Sequence, residues 1–392
     1  MSDAYMSRGV SSSKEEVHSA VKALGRGVFS GAFCQLIEDP AGDPGYCAAM
    51  HADGAGTKAS LAYIKFRETG DYGAFFDIAQ DSTVMNLDDL LCVGALDGFV
   101  MSNTIDRNAH RVDGAAIKAV IEGYRSFAAE MGKYGVGITM SGGETADVGD
   151  LAATLIVNST FFVRMKRSDV IDCDRIAAGD VIVGLSSYGQ ANYEKRYNAG
   201  MGSNGLTAAR HLMLSKYYAE TYPETYSPTI AYEKVYCGKY RLEDPLPGTP
   251  VSVGDAILSP TRTYAPILKR LHDEKAVLHG IVHCTGGGQV KCRGFGHGLR
   301  YVKDDLFDVP PLFLAIADAG EMAPEEMYQT FNMGHRMEIF CPEEEAAHII
   351  AASGSFGVAA KRIGYVEKAG DPAAEGNAVV IRDRMSGRTL EY

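Results

Sequence analysis

The sequence predicts a two-domain α/β (α+β) fold, and three observations carry that prediction. A chain of 392 residues suits two domains of ordinary size. Short apolar runs of strand type alternate with longer amphipathic stretches along its length. Near the middle, the charged segment Lys166-Arg167-Ser168-Asp169-Val170 gives way to AAGDVIVGLSS, a turn and buried-type strand that opens a second unit. The expected domains are residues 1–168 and 169–392.

Composition narrows the function classes. Charged residues at 22% and hydrophobic residues at 46% describe a globular protein. Thirty-eight basic against fifty acidic side chains leave a net charge of −12, which argues against generic nucleic-acid binding. A phosphorylated ligand then needs a local cationic pocket. The N-terminal stretch MSDAYMSRGVSSSKEEVHSA lacks the apolar core of a signal peptide, and no apolar run reaches the length of a membrane span. A cytoplasmic protein without a membrane partner is the expectation. The eight cysteines are dispersed, with no CxxC pair or zinc spacing, so reduced thiols and no structural metal are expected.

Taken in order, Ser13 to Leu24 reads as a helix capped by Ser12 or Ser13. The run Tyr46 to Met50 reads as a strand and empties into HADGAGTK, His51 to Lys58. There Asp53 suits a divalent cation, Gly54 and Gly56 let backbone approach an anion, and Lys58 suits phosphate oxygens. An ordinary Asp-Gly turn after a strand explains the same residues. The stretch does not match the GxxxxGK[ST] phosphate loop.

A helix ending near Gly70 follows, then a second in which Ile78, Met85, Leu87, Leu90 and Leu91 form an apolar face interrupted by Asp81, Asp88 and Asp89. Asp81 and Asp89, two turns apart, belong either to a functional face or to a solvated acidic one. Phe99 to Met101 reads as a strand and Asp113 to Met131 as an amphipathic helix. Gly137 to Thr145 reads as a strand running into the pair Gly142-Gly143, with Glu144 placed for a cation. Leu151 to Val163 is β-rich.

In the second half, Val181 to Leu185 is a strand, and Gly202-Ser203-Asn204-Gly205 precedes a helix that it either caps or equips to bind an anion. Residues 211–255 contain a tyrosine-rich insertion, in which Tyr232, Tyr236 and Tyr240 share a face if helical. Packing and a lid are both open readings for it. Thr261 and Arg262 precede a helix. Ile281 to Cys284 is a strand that empties through Thr285 into Gly286-Gly287-Gly288, a phosphate-type turn, with His283 either structural or functional. Met337 to Phe340 and Lys361 to Val366 read as strands and Pro342 to Ala352 as a helix.

The ordered motifs resemble the aminoimidazole ribonucleotide synthetases, also called phosphoribosylformylglycinamidine cyclo-ligases. Tyr5 to Val10 resembles Y-x-x-A-G-V, Asp53 to Lys58 resembles DGVGTK, and Asp81 to Leu90 resembles D-x-x-A-M-x-V-N-D-L. Gly142 to Ala146 resembles GGETA, Ser203 to Gly205 SNG, and Pro260 to Tyr264 PTRIY. His283 to Gly288 resembles HITGGG and Met327 to Gly334 MYRTFNMG. Departures fall mostly in the second half. Asp88 stands for Asn, Gly202 for a histidine, and His335-Arg336 for a small or apolar pair; Gln289 to Arg293 also departs.

The resemblance implies an N-terminal ATP-binding domain whose sheet forms a barrel across a homodimer interface, followed by a C-terminal α/β domain. It implies an ATP site of Asp53, Gly54, Gly56, Thr57, Lys58, Asp81, Asp89, Gly142, Gly143 and Glu144. Asp53, Asp81 and Glu144 would hold Mg2+, and Lys58, Asp81 and Glu144 would serve catalysis. Ser203, Asn204, His283, Thr285 and Gly286 to Gly288 would contact a phosphorylated substrate. The implied reaction closes the ring of formylglycinamidine ribonucleotide. ATP activates the formamide oxygen, an amidine nitrogen attacks that carbon, and phosphate leaves with ADP and aminoimidazole ribonucleotide as the other products. Lys58→Ala is expected to lower ATP turnover with the fold intact. The alternatives are another ATP-using enzyme of the same superfamily or a non-catalytic ATP-binding homologue.

Overall fold

The computed structural model describes residues 7–10, 20, 25, 27–370 and 376–392. The helix expected at Ser13 to Leu24, and Tyr5 of the first motif, lie outside the described residues.

The first sheet contains β1 (Ile37–Glu38), β2 (Tyr46–Gly54), β3 (Phe99–Arg107), β4 (Ile138–Asp147) and β5 (Leu155–Lys166), in the order β1-β2-β5-β3-β4. Its sequence alternation is plain in β5, where Leu155, Val157, Ser159, Phe161, Val163 and Met165 are buried on one face. That face is covered by α1 (Lys58–Thr69), α2 (Gly73–Leu91) and α3 (Gly114–Gly132). Asp113 caps α3 by accepting the Ala116 amide at 2.9 Å.

Burial decides one open reading here and the strand register changes one expectation. The acids of α2 are not a solvated face: Asp81, Asp88 and Asp89 are all buried, because α2 lies between the sheet and the second domain. The pair Gly142-Gly143 does not end its strand either. It lies within β4, just past a register shift opposite Met101 and Ser102.

The second sheet has β6 (Val181–Ser186), β7 (Gly280–His283), β8 (Leu299–Lys303), β9 (His335–Cys341), β10 (Ala360–Lys368), β11 (Ala378–Arg382) and β12 (Thr389–Glu391), ordered β12-β11-β8-β10-β6-β9-β7. Strands β6 and β9 are buried at every position, the mark of a central pair covered on both faces. Around the sheet lie α4 (Leu206–Met213), α5 (Tyr217–Thr221), α6 (Val253–Ile257), α7 (Ala265–Asp273), α8 (Pro311–Gly320), α9 (Pro324–Thr330) and α10 (Glu343–Gly354). Among the described residues no helix is long and apolar enough to cross a membrane.

The tyrosine-rich insertion is packed rather than hinged. Tyr232, Tyr236 and Tyr240 do not form a helical face: a single 3-10 turn spans Tyr232–Lys234, and Tyr236 has φ +40°. Tyr218, Tyr222 and Tyr236 are buried. Tyr217 and Tyr222 donate to Glu68 at 3.0 and 2.5 Å, and Tyr63 donates to Glu224 at 2.6 Å. The insertion thus straps α1 of the first domain to the second.

Candidate functional site

The turns singled out in the sequence meet where the two domains join. Strand β2 ends at Gly54 and α1 begins at Lys58, so the DGAGTK motif is the intervening turn, with Gly56 and Thr57 exposed. Thr57 Oγ1 lies 2.9 Å from Thr207 Oγ1 in the first turn of α4. The segment Gly202 to Gly205 leads into that helix, so the N-terminal ends of α1 and α4 face one another. The positive ends of the two helices suit an anion there. The glycine turn after β7 completes the wall: a β-carbon at Gly286 would stand 3.9 Å from Asn204 Nδ2. Gly288 has φ +53°, and a side chain there would strike the Tyr328 carbonyl at 2.4 Å, so this turn requires glycine. Lys291, one turn further, donates to Thr285 Oγ1 at 2.6 Å and supplies a local cation.

Behind this cleft lies a buried polar layer organised by α2. Lys58 is 0% exposed, and its Nζ donates to Asp81 Oδ1 at 2.7 Å and to the Ser259 carbonyl at 2.5 Å. A longer contact of 3.4 Å reaches the Gly202 carbonyl. Burial pulls the Lys58 pKa below its ordinary value, against the Asp81 carboxylate that raises it. Lys58 is therefore enclosed behind the cleft rather than extended into it as a free phosphate contact. Asp81 Oδ1 also accepts the Thr261 amide at 2.8 Å and its hydroxyl at 2.5 Å. Its other oxygen, Oδ2, is buried without a hydrogen-bond partner among the described residues. A carboxylate with three donors on one oxygen and none on the other is a half-coordinated group, which fits a divalent cation.

The segment after Pro260 is the seam. Extended backbone sends alternate side chains to opposite sides. Thr261 and Thr263 turn to α2, the latter donating to Asp88 at 2.5 Å. Arg262 turns the other way to Glu194, at 2.9 and 2.6 Å, and the Tyr264 hydroxyl donates to the Ser186 carbonyl at 3.1 Å. Burial pushes Asp88 up to about 7 despite the opposing charge of Arg336.

One helical position on, Asp89 is held from two sides. His283 Nδ1 lies 2.7 Å from Oδ1, and His51 Nε2 lies 3.4 Å from Oδ2. Burial alone would raise the Asp89 pKa, but those two imidazoles outweigh it and hold it well below the carboxylate range. Burial lowers His283 to about 4, so its ring is neutral near pH 7. On His51 the Asp89 carboxylate outweighs burial and raises the pKa. His283 is thus buried against Asp89 rather than lining the cleft.

Not every expected group converges. The strand register places Asp53, Ser159, Asn103 and Gly143 in one row, and therefore on the face toward α2. Glu144 shares the next row with Thr104 and Asn158 and points to the opposite face, exposed, with Oε1 3.0 Å from the Thr145 amide. The set Asp53, Asp81 and Glu144 is not assembled as one cluster in this chain. Asp53 itself is half-buried, its Oδ1 accepting the Gly54 amide at 2.7 Å.

The departures in the second half also have places. Gln289 donates to the His335 carbonyl at 2.9 Å, while His335 Nε2 lies 3.0 Å from Glu338 Oε1 and Lys303 pairs with Glu338. These groups form a buried support beneath the glycine turn. Burial would raise Glu338, but Lys303 and His335 bring it down to about 2.

Family comparisons agree with this layout. The AIR synthase related protein N-terminal domain matches residues 33–164, and the C-terminal domain of the same description matches residues 177–377. The chain belongs to the AIR synthase related family. Within it, the chain is 29% identical over 329 residues to a phosphoribosylformylglycinamidine cyclo-ligase of Methanococcus vannielii, covering 82% of this chain and 78% of that one. It is 30% identical over 359 residues to the chloroplastic phosphoribosylformylglycinamidine cyclo-ligase of Arabidopsis thaliana, covering 88% and 76%. Among solved structures, the hydrogenase maturation protein HypE in complex with ATP superposes with TM-score 0.54 at 16% identity, covering 88% of this chain and 84% of that one. At that identity the likeness speaks for the fold. For this family member, sequence reasoning had found the turns but gave no role to His51, Lys291 and Arg336. His51 had a signal, standing two residues before Asp53 on the same strand face; Arg336 was visible only as a departure.

Proposed function

We propose that this chain catalyses the ATP-dependent ring closure of formylglycinamidine ribonucleotide, giving aminoimidazole ribonucleotide, ADP and phosphate. The observation that carries the reading is the junction of two helix N-termini with a glycine turn, in a chain of this family. In this reading Gly56 and Thr57 present backbone amides to the ATP phosphates, and Gly54 lets the chain approach them closely. Ser203, Asn204, Thr285 and Gly286 to Gly288 hold the phosphorylated substrate, with Lys291 as the local cation. Mg2+ would be held by Asp81, through its bare oxygen, and by Asp53, and would neutralise charge on the phosphoryl group. Lys58 acts from behind, fixing the Asp81 rotamer. Asp89, held by two imidazoles, supplies a permanent negative charge beside the same turn. The domains hold both reactants in one cleft and keep water from the activated formamide, so positioning and electrostatics carry the chemistry. No protein nucleophile is required.

We further place domain boundaries at residues 1–168 and 169–392 and pair the outer face of the first sheet with a second copy, closing a barrel. Met50 is 70% exposed on that face, beside Val100 at 38% and Ile156 at 42%, an apolar surface that a monomer has no reason to keep wet. Glu144 and Gly142 lie on this face, so their contribution to the ATP site would come at the interface between copies.

The test is product analysis with purified protein, ATP, magnesium and formylglycinamidine ribonucleotide. Stoichiometric ADP and aminoimidazole ribonucleotide are expected. ATP binding without product would overturn the substrate assignment and turn attention to the departures at Gly202, Gln289 and Arg336.

A further inference from the structure

Arg336 enters the site from β9 at 3% exposure, and nothing in the family pattern calls for it there. Its Nε donates to His283 Nε2 at 3.1 Å and its Nη2 donates to the Arg262 carbonyl. Its Nη1 is buried without a partner among the described residues. A guanidinium bears hydrogen on every nitrogen and accepts nothing. The His283 nitrogen that faces it is therefore the lone-pair nitrogen, which puts the ring hydrogen on Nδ1, 2.7 Å from Asp89 Oδ1. Of the two neutral tautomers, only this one donates to Asp89.

The orphan Nη1 explains a second departure. A β-carbon at Gly202 would lie 3.1 Å from it, in a backbone conformation of φ +69°. The guanidinium thus occupies the space that a side chain at 202 would fill, directly under the Ser203-Asn204 turn. The family that the sequence resembles has histidine at the position of Gly202 and a small or apolar residue at that of Arg336. Here both positions differ, and they touch.

We propose that Arg336 is a positioning residue of this site: it bars the proton from Nε2 of His283, so keeping the neutral Nδ1–H ring that donates to Asp89, and it rests against a glycine at 202 that leaves its guanidinium room. The consequence for ligand binding rests on the function proposed above; the tautomer does not. Groups that orient a ligand's partner typically change affinity by roughly 10- to 100-fold when removed.

The experiment uses full-length protein labelled with 15N-histidine, long-range proton–nitrogen correlation spectra, and calorimetric titration with Mg-ATP. His283→Gln identifies the resonances. In the unaltered protein, hydrogen is expected on Nδ1 and none on Nε2. Arg336→Met should free Nε2 to take up a proton as the pH falls, so that the ring carries hydrogen on both nitrogens, and weaken Mg-ATP by roughly 10- to 100-fold, and Arg336→Lys, which still donates to Nε2, should return the Nδ1–H form. Where Arg336→Met does not fold, Gly202→Ala takes its place, since the added carbon presses on the guanidinium from 3.1 Å and should move the same resonances. A His283 protonated on Nε2 or on both nitrogens in the unaltered protein would overturn the proposal. So would unchanged spectra and affinity in whichever variant folds. Failure to form aminoimidazole ribonucleotide would instead refute the proposed reaction and leave the tautomer result standing.

Discussion

Lys58 and Asp88 show how far burial changes what a residue type means. Read from sequence, Lys58 was a solvent-facing phosphate contact; in the fold it is fully enclosed, and its removal strands the Asp81 carboxylate. Breaking one partner of such a pair costs about 3–5 kcal/mol. Lys58→Met should therefore lower the urea midpoint by that equivalent, and adding Asp81→Asn should recover part of it; an unshifted midpoint would refute the account. Asp88 carries the opposite lesson. Its folded pKa of about 7 lies above the reference 3.8, so the native chain keeps a proton that the unfolded chain releases. Stability then falls as pH rises through that interval, by at most about 4 kcal/mol. Asp88→Asn should flatten the decline in melting temperature between those pH values. The sequence disclosed Asp81, Asp88 and Asp89 as spaced acids, but spacing carries no information on what lies opposite. Thr261 and Thr263, which hold two of them, come from a distant segment and could be placed only once the domains were docked.

At the scale of elements, the strands and helices were legible because each has its own period. Val181 to Ser186 and the helix ending at Gly70 need only local patterning and a C-cap glycine to be read. The glycine pair at 142–143 misled because glycine marks both turns and bulges, and only the register against β3 distinguishes them. The tyrosine-rich insertion misled for a related reason: aromatic spacing mimicked a helical face in a segment held by hydroxyl contacts instead. Those contacts converge on Glu68, which accepts from Tyr217 and Tyr222. Glu68→Ala should destabilise the protein by about 1–3 kcal/mol, the cost of stranding buried donors. A strap leaves kcat in place, so stopped turnover in the folded variant would restore the lid reading.

The whole molecule is governed by two surfaces, one closed and one open. The open one is the outer face of the first sheet, and Met50→Glu should convert a dimer to a monomer by light scattering, because a buried unpaired charge opposes association. An unchanged mass in both proteins would remove the barrel across copies. The closed surface is the seam at Asp81. Its carboxylate waits for Thr261, which is synthesised 180 residues later. At roughly 5–20 residues per second, a ribosome needs about 10 to 35 s to deliver that partner. During that delay the emerging first half carries a helix of acids meant for burial with nothing yet to cover them. Docking of the two domains at this seam consequently follows, rather than accompanies, emergence of the first.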